Sequence, residues 1–335
     1  MSNNFKNIII KKLGKDVSLE CLNWNSVLNS ASDVLVFHLE STIAYYVEYF
    51  GGKNLSFTLY ENNQAVGIFP LFIYKNQIDW KISGDGVNLI KPLFIDNISK
   101  KTKKRLEKKI IEVIKEIANI LEIKKIQLFD DSIKLSSWYL LWLERANKSF
   151  LTHQLAINLQ HSIEEIKLDF RKSYKPLVNK ALKEWDVSIC DYNINEDFEA
   201  FRLLHLEVAG RETRSRESWK IQQQQIINNE AFLVMVKDKD ILIGAGFFNY
   251  TKDIGMYSVG AYKRELFDKP IGHGVQMKAI EVLKEKGCQT YHIGQKMTVL
   301  DKPSPTDKEL SISHFKEGFS GYVYTQAHLE LIISE

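Results

Sequence analysis

Between about Ser99 and Leu121 apolar side chains recur at steps of three and four: Leu106, Ile110, Val113, Ile114, Ile117 and Leu121. That spacing predicts one long helix with a single buried stripe. Shorter patterns precede it. A helix near Leu22 to Asn29 leads to the apolar run Val34 to Phe37, and a helix from about Ser41 to Phe50 stops at the capping pair Gly51-Gly52. Leu55 to Tyr60 and Val66 to Tyr74 read as strands, and the polar link ENNQ makes them a β-hairpin. Hydrophobic residues around Trp80 run into the turn SGDG, Ser83 to Gly86. After the long helix come a strand (Lys125 to Phe129), a Trp- and Leu-rich helix (Ser136 to Ala146) and the alternating strand THQLAINLQ.

The second half repeats this order of elements without repeating residues. Ser162 opens a basic helical stretch reaching about Trp185, which predicts a connector between the halves. Then follow strand Val187 to Tyr192, helix Glu196 to Ala209 with Asn195 as cap and Asp197 in its acidic first turn, and helix Glu217 to Ile227. Strands Phe232 to Val236 and Ile241 to Tyr250 join through the turn KDKD, and a third strand spans Ile254 to Tyr262. A helix from about Gly272 to Lys286, a strand from Thr290 to Ile293, a last helix and terminal strands from Gly321 to Ile333 complete the chain. Hairpins alternating with helical crossovers predict a mixed α/β fold with partly antiparallel sheets. The expected division is 1–160 and 161–335, with the connector helix at about 162–185.

Composition adds bounds. A chain of 335 residues, 44% hydrophobic and 26% charged, is that of an ordinary globular protein of about two domains. Cys21, Cys190 and Cys288 are far apart and odd in number, which predicts reduced thiols, no metal site and a cytoplasmic location. The apolar run in MSNNFKNIIIKK is too short for a signal peptide or a membrane span, so no membrane association is expected. With 45 lysines and arginines against 42 acidic residues, the net charge of +3 does not call for nucleic acid. The basic run KKTKKRLEKK, Lys100 to Lys109, reads as a solvated helix face.

Chemistry concentrates where strand Ile254 to Tyr262 meets the following helix, in KRELFDKPIGHGVQMKAI. Gly272 and Gly274 fall in the first helical turn, where unpaired N–H groups and the dipole favour a phosphate, and Lys269 adds a charge. The spacing Lys269-Pro-Ile271-Gly272-His273-Gly274 resembles the phosphate loop of the GNAT superfamily of acyl-CoA-dependent N-acyltransferases, with Lys in place of their Arg or Gln. The resemblance implies an acyl-CoA donor, such as acetyl-CoA, held at Lys269, Ile271, Gly272, His273 and Gly274.

A second resemblance covers most of the chain. FRKSYKPLVNKALKEW, the segment ending in RETRSR, the hairpin LVMVKDKDILIGAGFFNY and the close IGQ…HFKEGF resemble the FemAB-type branch of that superfamily. The branch implies two tandem GNAT-like domains and acylation of amines on peptidoglycan precursors, amino sugars or peptides. Its peptidoglycan enzymes take the acyl group from aminoacyl-tRNA, and other members are thought to use acyl-CoA. Phe315-Lys316, with Gly318, matches its most distinctive local motif. The resemblance places Lys316 at the reacting centre, where a positioned ammonium stabilises a developing oxyanion. The chain lacks the charged heptads of the coiled-coil arm some Fem enzymes carry.

Other candidates have their own logic. Arg211, Arg214 and Arg216 offer guanidinium forks to a carboxylate or phosphate on an acceptor. His205 and Glu207 lie beside them, His292 ends a strand next to Gly294, and His314 precedes the Phe-Lys pair; Glu207 and His292 are the candidate bases for a protonated amine. Tyr257 and Tyr262 lie on the strand facing the donor, and Tyr257 is the candidate acid for a departing thiolate. No nucleophile dyad, G-x-S-x-G elbow or Walker loop occurs. The expectation is direct acyl transfer to a small-molecule amine, an amino sugar or sugar nucleotide in cell-surface glycan synthesis. The alternatives are an aminoacyl-tRNA donor, the one case that brings in nucleic acid, with its phosphates on Lys100 to Lys109 or Arg171 to Lys183, and a binding module without chemistry.

Overall fold

The computed structural model describes residues 2–130, 135–190 and 194–333. It divides into two compact units, Met1–Thr152 with Thr325–Glu335, and His153–Tyr324. The first boundary therefore falls at 152 rather than 160, and the chain's last segment belongs to the first unit rather than the second. The reason is a strand pairing: Ala327 to Ile332 runs antiparallel to Lys125 to Asp130.

The first unit carries α1 (Ser2–Leu13), β1 (Val17–Ser18), α2 (Trp24–Ser30), α3 (Glu40–Phe50), β2 (Lys53–Asn54), β3 (Phe57–Glu61), β4 (Gln64–Phe69), β5 (Phe72–Asn76), β6 (Asp79–Lys81), β7 (Leu93–Phe94), α4 (Lys100–Ile120), β8 (Lys125–Asp130) and α5 (Ser137–Leu143). The stripe of α4 is buried as its spacing predicts, and Ser99 caps the helix by accepting from Thr102 N–H. The basic run is partly tied down: Arg105 and Lys109 both reach Asp16, at 2.6 and 3.0 Å. The predicted strand Val66 to Tyr74 is two strands. Pro70 has no N–H to continue a ladder, so β4 joins the sheet β1-β3-β4-β7 while β5 joins β2-β5-β6. The hairpin turn holds Asn62 and Asn63 at positive φ, which their short polar side chains tolerate.

Two strands carry the chain across the boundary, β9 (Lys148–Asn158) and, at the end, β15 (Tyr322–Ile332). The second unit holds α6 (Ile163–Asp169), α7 (Tyr174–Glu184), β10 (Asp186–Ile189), α8 (Ile194–Ala209), α9 (Arg216–Ile227), β11 (Ala231–Asp238), β12 (Ile241–Tyr250), β13 (Ile254–Tyr262), α10 (Ile271–Glu285), β14 (Thr290–Lys296) and α11 (Asp307–Glu317). The predicted connector at 162–185 is two helices broken at 170–173. Ser162 and Glu165 form a reciprocal capping box on α6, and Phe170, Tyr174, Val178 and Ala181 are core residues of this unit. The predicted strand end at Tyr192 lies outside the described residues.

In this unit the strands pair in the order β10-β11-β12-β13-β14-β9, antiparallel except for β13 with β14. One face packs on α7 and α10 through Val234, Phe248, Val275 and Ile280; the other packs on α8 and α9 through Leu233, Phe247, Phe201 and Trp219. Gly244 and Gly246 let α10 lie close on β12, because a Cβ at either would stand 2.4 Å from Ile271 or 2.7 Å from Val275.

Candidate active site

Among the described residues of this unit one strand pairing is parallel, and it is short. β13 and β14 pair only from Ile254 to Met256 and from Thr290 to His292. Beyond that β13 stays on β12 and β14 stays on β9, so their carboxyl ends part. A crevice outside parting carboxyl ends is where open α/β sheets take ligands.

Two bulges shape its walls. On β13 the register against β12 shifts between Phe247 and Phe248, leaving Ser258 as the extra residue. On β14 the register against β9 shifts between His292 and Gly294, and Gly294 has φ +146, a conformation suited to glycine. The space over Gly294 is filled by Lys316: a Cβ there would lie 2.5 Å from Nζ. The same Nζ stands 5.2 Å from the centroid of the Tyr257 ring. Among the described residues no carboxylate pairs with this ammonium, and burial lowers its pKa below the usual lysine value.

Lys316 is aimed by the way α11 is anchored. Thr306 and Glu309 cap its start reciprocally. At its end Tyr174 donates from its hydroxyl to the Phe315 carbonyl at 3.0 Å, and Arg171 N–H donates to the Gly318 carbonyl at 2.9 Å. The Arg171 guanidinium stacks on Tyr174 and donates to His314, at the ring Nε2 (2.9 Å) and at the carbonyl (3.2 Å). Met297 N–H donates to Ser313 Oγ at 2.8 Å, and Lys296 pairs with Glu317. Arg171 and Tyr174 thus act on Lys316 through the helix that bears it. His314, expected to bind substrate, is an exposed member of this clamp.

Tyr257 presents its ring face to Lys316 while its hydroxyl meets that of Tyr262 at 3.0 Å. Burial raises the Tyr257 pKa to about 12, so the group stays protonated. His292 points away from Tyr291, its neighbour in the core, and its Nδ1 meets the Tyr324 hydroxyl at 3.0 Å.

At the start of α10 the His273 and Gly274 N–H groups bond back to the Pro270 carbonyl, leaving those of Ile271 and Gly272 without an acceptor inside the helix. Phe315 lies on Gly272, its ring 3.0 Å from where a Cβ would be, and Gly274 is pressed against Ala181 and Val187. Both glycines therefore serve close packing. His273 packs edge-on against Tyr174 and Phe315, its Nε2 is buried without a hydrogen-bond partner among the described residues, and burial lowers its pKa to about 4. Ile271 is buried, and Lys269 is exposed and paired with Asp268 at 3.0 Å.

The arginines gather on the opposite face of the sheet. Arg211, Arg214 and Arg216 line a small pocket with His205 and Trp219, and Arg202 backs it, held by Glu199 through Nε and Nη2 at 2.7 and 2.6 Å. Glu207 is on the exposed side of α8 and does not line it. Tyr174 and Tyr324 carry no sequence signal of a site role, although Tyr174 stands inside the quoted run FRKSYKPLVNKALKEW. Among the described residues no group of side chains has the makings of a metal site, and no helix is long and apolar enough to cross a membrane.

No protein-family profile matches this sequence, and no curated protein matches it by sequence. Solved structures do match in shape. FemX superposes with a TM-score of 0.66 at 14% identity, covering 91% of this chain and 94% of its own. L-PGS from Bacillus licheniformis gives 0.56 at 12% identity, over 89% and 93%. A tandem GNAT protein from the clavulanic acid biosynthesis pathway gives 0.50 at 10% identity, over 88% and 95%. A mixed α/β chain that follows all three over most of their length has the FemAB-type, tandem GNAT-like fold.

Proposed function

We propose that this chain is an N-acyltransferase in which Lys316 stabilises the oxyanion formed as a small-molecule amine attacks an activated acyl group. The observation that carries this reading is the Lys316 ammonium, set over the Tyr257 ring where β13 and β14 part, with no carboxylate pairing it among the described residues. Attack forms a C–N bond and moves the carbonyl electrons onto oxygen. Collapse breaks the bond to the leaving sulfur or oxygen, and the amine loses one proton to a base or water. An ammonium already in place stabilises the charged intermediate without reorganising. A nearby carboxylate would cancel that effect.

The donor we favour is an acyl-CoA, whose pyrophosphate would lie at the start of α10 on the Ile271 and Gly272 N–H groups, with Lys269 beside it. This fits only with the Phe315 ring displaced from Gly272. That contact favours a second reading, an aminoacyl ester on tRNA, which needs no pyrophosphate cradle there. We infer a cytoplasmic location from three cysteines that form no disulfide. An amino-sugar or sugar-nucleotide acceptor rests on the sequence resemblance alone.

The test has two parts. Calorimetric titration with acetyl-CoA, free CoA and aminoacyl-tRNA at two salt concentrations identifies the donor, since tRNA binding weakens steeply with salt. Lys316→Met is then expected to cut turnover by about 10²–10³ with donor affinity nearly unchanged, as for loss of one oxyanion-hole donor. Full turnover in that variant overturns the reading, and failure of every donor to bind leaves a module without chemistry.

A further inference from the structure

The arginine pocket plays no part in the reading above, and its construction asks for a ligand. Gly210, at φ +70, ends α8, and the chain turns through residues 211–214 into α9, whose N-cap is Ser215. The loop is built on Trp219, which is buried. The Arg214 guanidinium lies 4.5 Å over its ring and donates to Gln222 Oε1 at 2.9 Å, while His205 meets the same ring edge-on at 5.1 Å. Arg214 is thereby held in one place, so a ligand it binds need not order it.

The charges do not balance locally. Glu199 is occupied by Arg202 and lies 3.9 Å from Arg216. Among the described residues Glu212 is the carboxylate that lines the pocket, against Arg211, Arg214 and Arg216. Arg211 has no acidic partner among the described residues. Arg216 is the first residue of α9, so the helix dipole adds positive potential at the same end. Burial, with Arg214 nearby, lowers the His205 pKa to about 4, so it faces the pocket as a neutral imidazole. Thr213 Oγ1 is buried with no hydrogen-bond partner among the described residues. A buried hydroxyl without a partner is a standing cost that an acceptor oxygen would remove.

We infer that this pocket binds the oxyanion of a small molecule, a carboxylate or a phosphate monoester, on Arg211 and Arg214 with Thr213 donating. Guanidinium forks match both groups in geometry. The inference rests on the acyltransferase reading only where it makes this ligand the amine acceptor, whose substrate class would then be an acidic one. Anion binding itself does not depend on turnover.

Saturation-transfer NMR on the full chain with glucuronate, glucose 6-phosphate and glucose separates the cases. Saturation of one or both acidic sugars, none of glucose, and loss of at least tenfold in affinity in Arg211→Gln would support the site; the sugar bound names the source of the oxyanion. Arg211 is exposed, so that variant is expected to fold, and Lys75→Gln, exposed on β5 of the first unit, serves as a charge-matched control. If neither acidic sugar binds, if glucose binds as well as they do, or if the two variants behave alike, the inference fails. None of these readouts tests Lys316, so a failure here and a failure of the acyl-transfer reading stay distinct.

Discussion

Tyr257 and Tyr262 stand five residues apart on one strand, yet their hydroxyls meet at 3.0 Å. In a regular strand an odd separation sends two side chains to opposite faces. The bulge at Ser258 resets the alternation, so both rings pack on the face that carries α10. This explains why Tyr257 offers its ring, and not its hydroxyl, to Lys316. The hydroxyl is directed along the strand, and Gly260 makes room for it: a Cβ there would lie 2.0 Å from that oxygen.

The first prediction follows from that geometry. Tyr257→Phe keeps the ring face under the ammonium and is expected to keep turnover within a few-fold of the parent. Tyr257→Leu removes the ring and is expected to lose about 5- to 30-fold in kcat, the equivalent of a partly desolvated cation–π contact of ~1–2 kcal/mol. Steady-state rates of both variants check it. A collapse in Tyr257→Phe equal to that in Tyr257→Leu would restore the hydroxyl as the acid that protonates the leaving group.

Gly294→Ala tests the bulge beneath Lys316. The new Cβ would stand 2.5 Å from Nζ and 2.9 Å from Cδ, so the flexible end of the lysine must swing away. Alanine at φ +146 is also strained, at a cost of order 1–3 kcal/mol. Turnover is expected to fall nearly as far as in Lys316→Met, while urea unfolding registers only the strain. A variant with normal turnover and lowered stability would mean that Gly294 serves the backbone alone.

His273→Phe separates packing from ligand binding at the start of α10. The imidazole sits among aromatic rings with Nε2 unpartnered, so phenylalanine of similar shape relieves an orphaned polar group. The expected result is a stability unchanged or raised by about 1 kcal/mol in urea melts. Loss of acetyl-CoA affinity in a well-folded variant would show instead that the imidazole belongs to a phosphate site.

Sequence pattern located the elements of the second unit closely because their signals are local. The turn KDKD, the apolar run of β12 and the Gly287 that ends the helix of α10 each need only near neighbours. The stripe of α4 was legible for the same reason. What failed was non-local. Nothing in THQLAINLQ tells that the chain changes unit within β9, or that β15 returns to β8, because strand pairing is settled by partners far away in sequence. The glycines of α10 show the same limit. Gly272 and Gly274 sit where a phosphate loop would have them, but Phe315, Ala181 and Val187 give them packing reasons that spacing alone does not show. The bulges were equally hidden, since Ser258 and Ile293 become extra residues only against β12 and β9.

The last prediction concerns acid stability in the first unit. His38 is fully buried; its Nδ1 accepts from Leu35 N–H at 3.0 Å, so the proton is on Nε2, which donates to the Lys91 carbonyl at 3.0 Å. Protonating Nδ1 would break the first of these bonds and bury a charge. Burial accordingly lowers the His38 pKa from 6.5 to about 4. As pH falls below 6.5 the unfolded chain takes up this proton and the folded chain does not. The folded state therefore loses stability between pH 6.5 and about 4, and no more from this group below that. The full shift corresponds to roughly 3 kcal/mol. His205, His273 and His328, each also lowered to about 4, act in the same direction, so the parent protein is expected to lose stability steeply across this window. Urea unfolding at pH 7, 5.5 and 4.5 measures the slope. In His38→Gln the amide can still donate to Lys91 but does not titrate, so this variant is expected to start less stable at pH 7 and to lose less on acidification. An unchanged slope would mean that His38 is already charged in the folded protein, or that other histidines account for the whole effect.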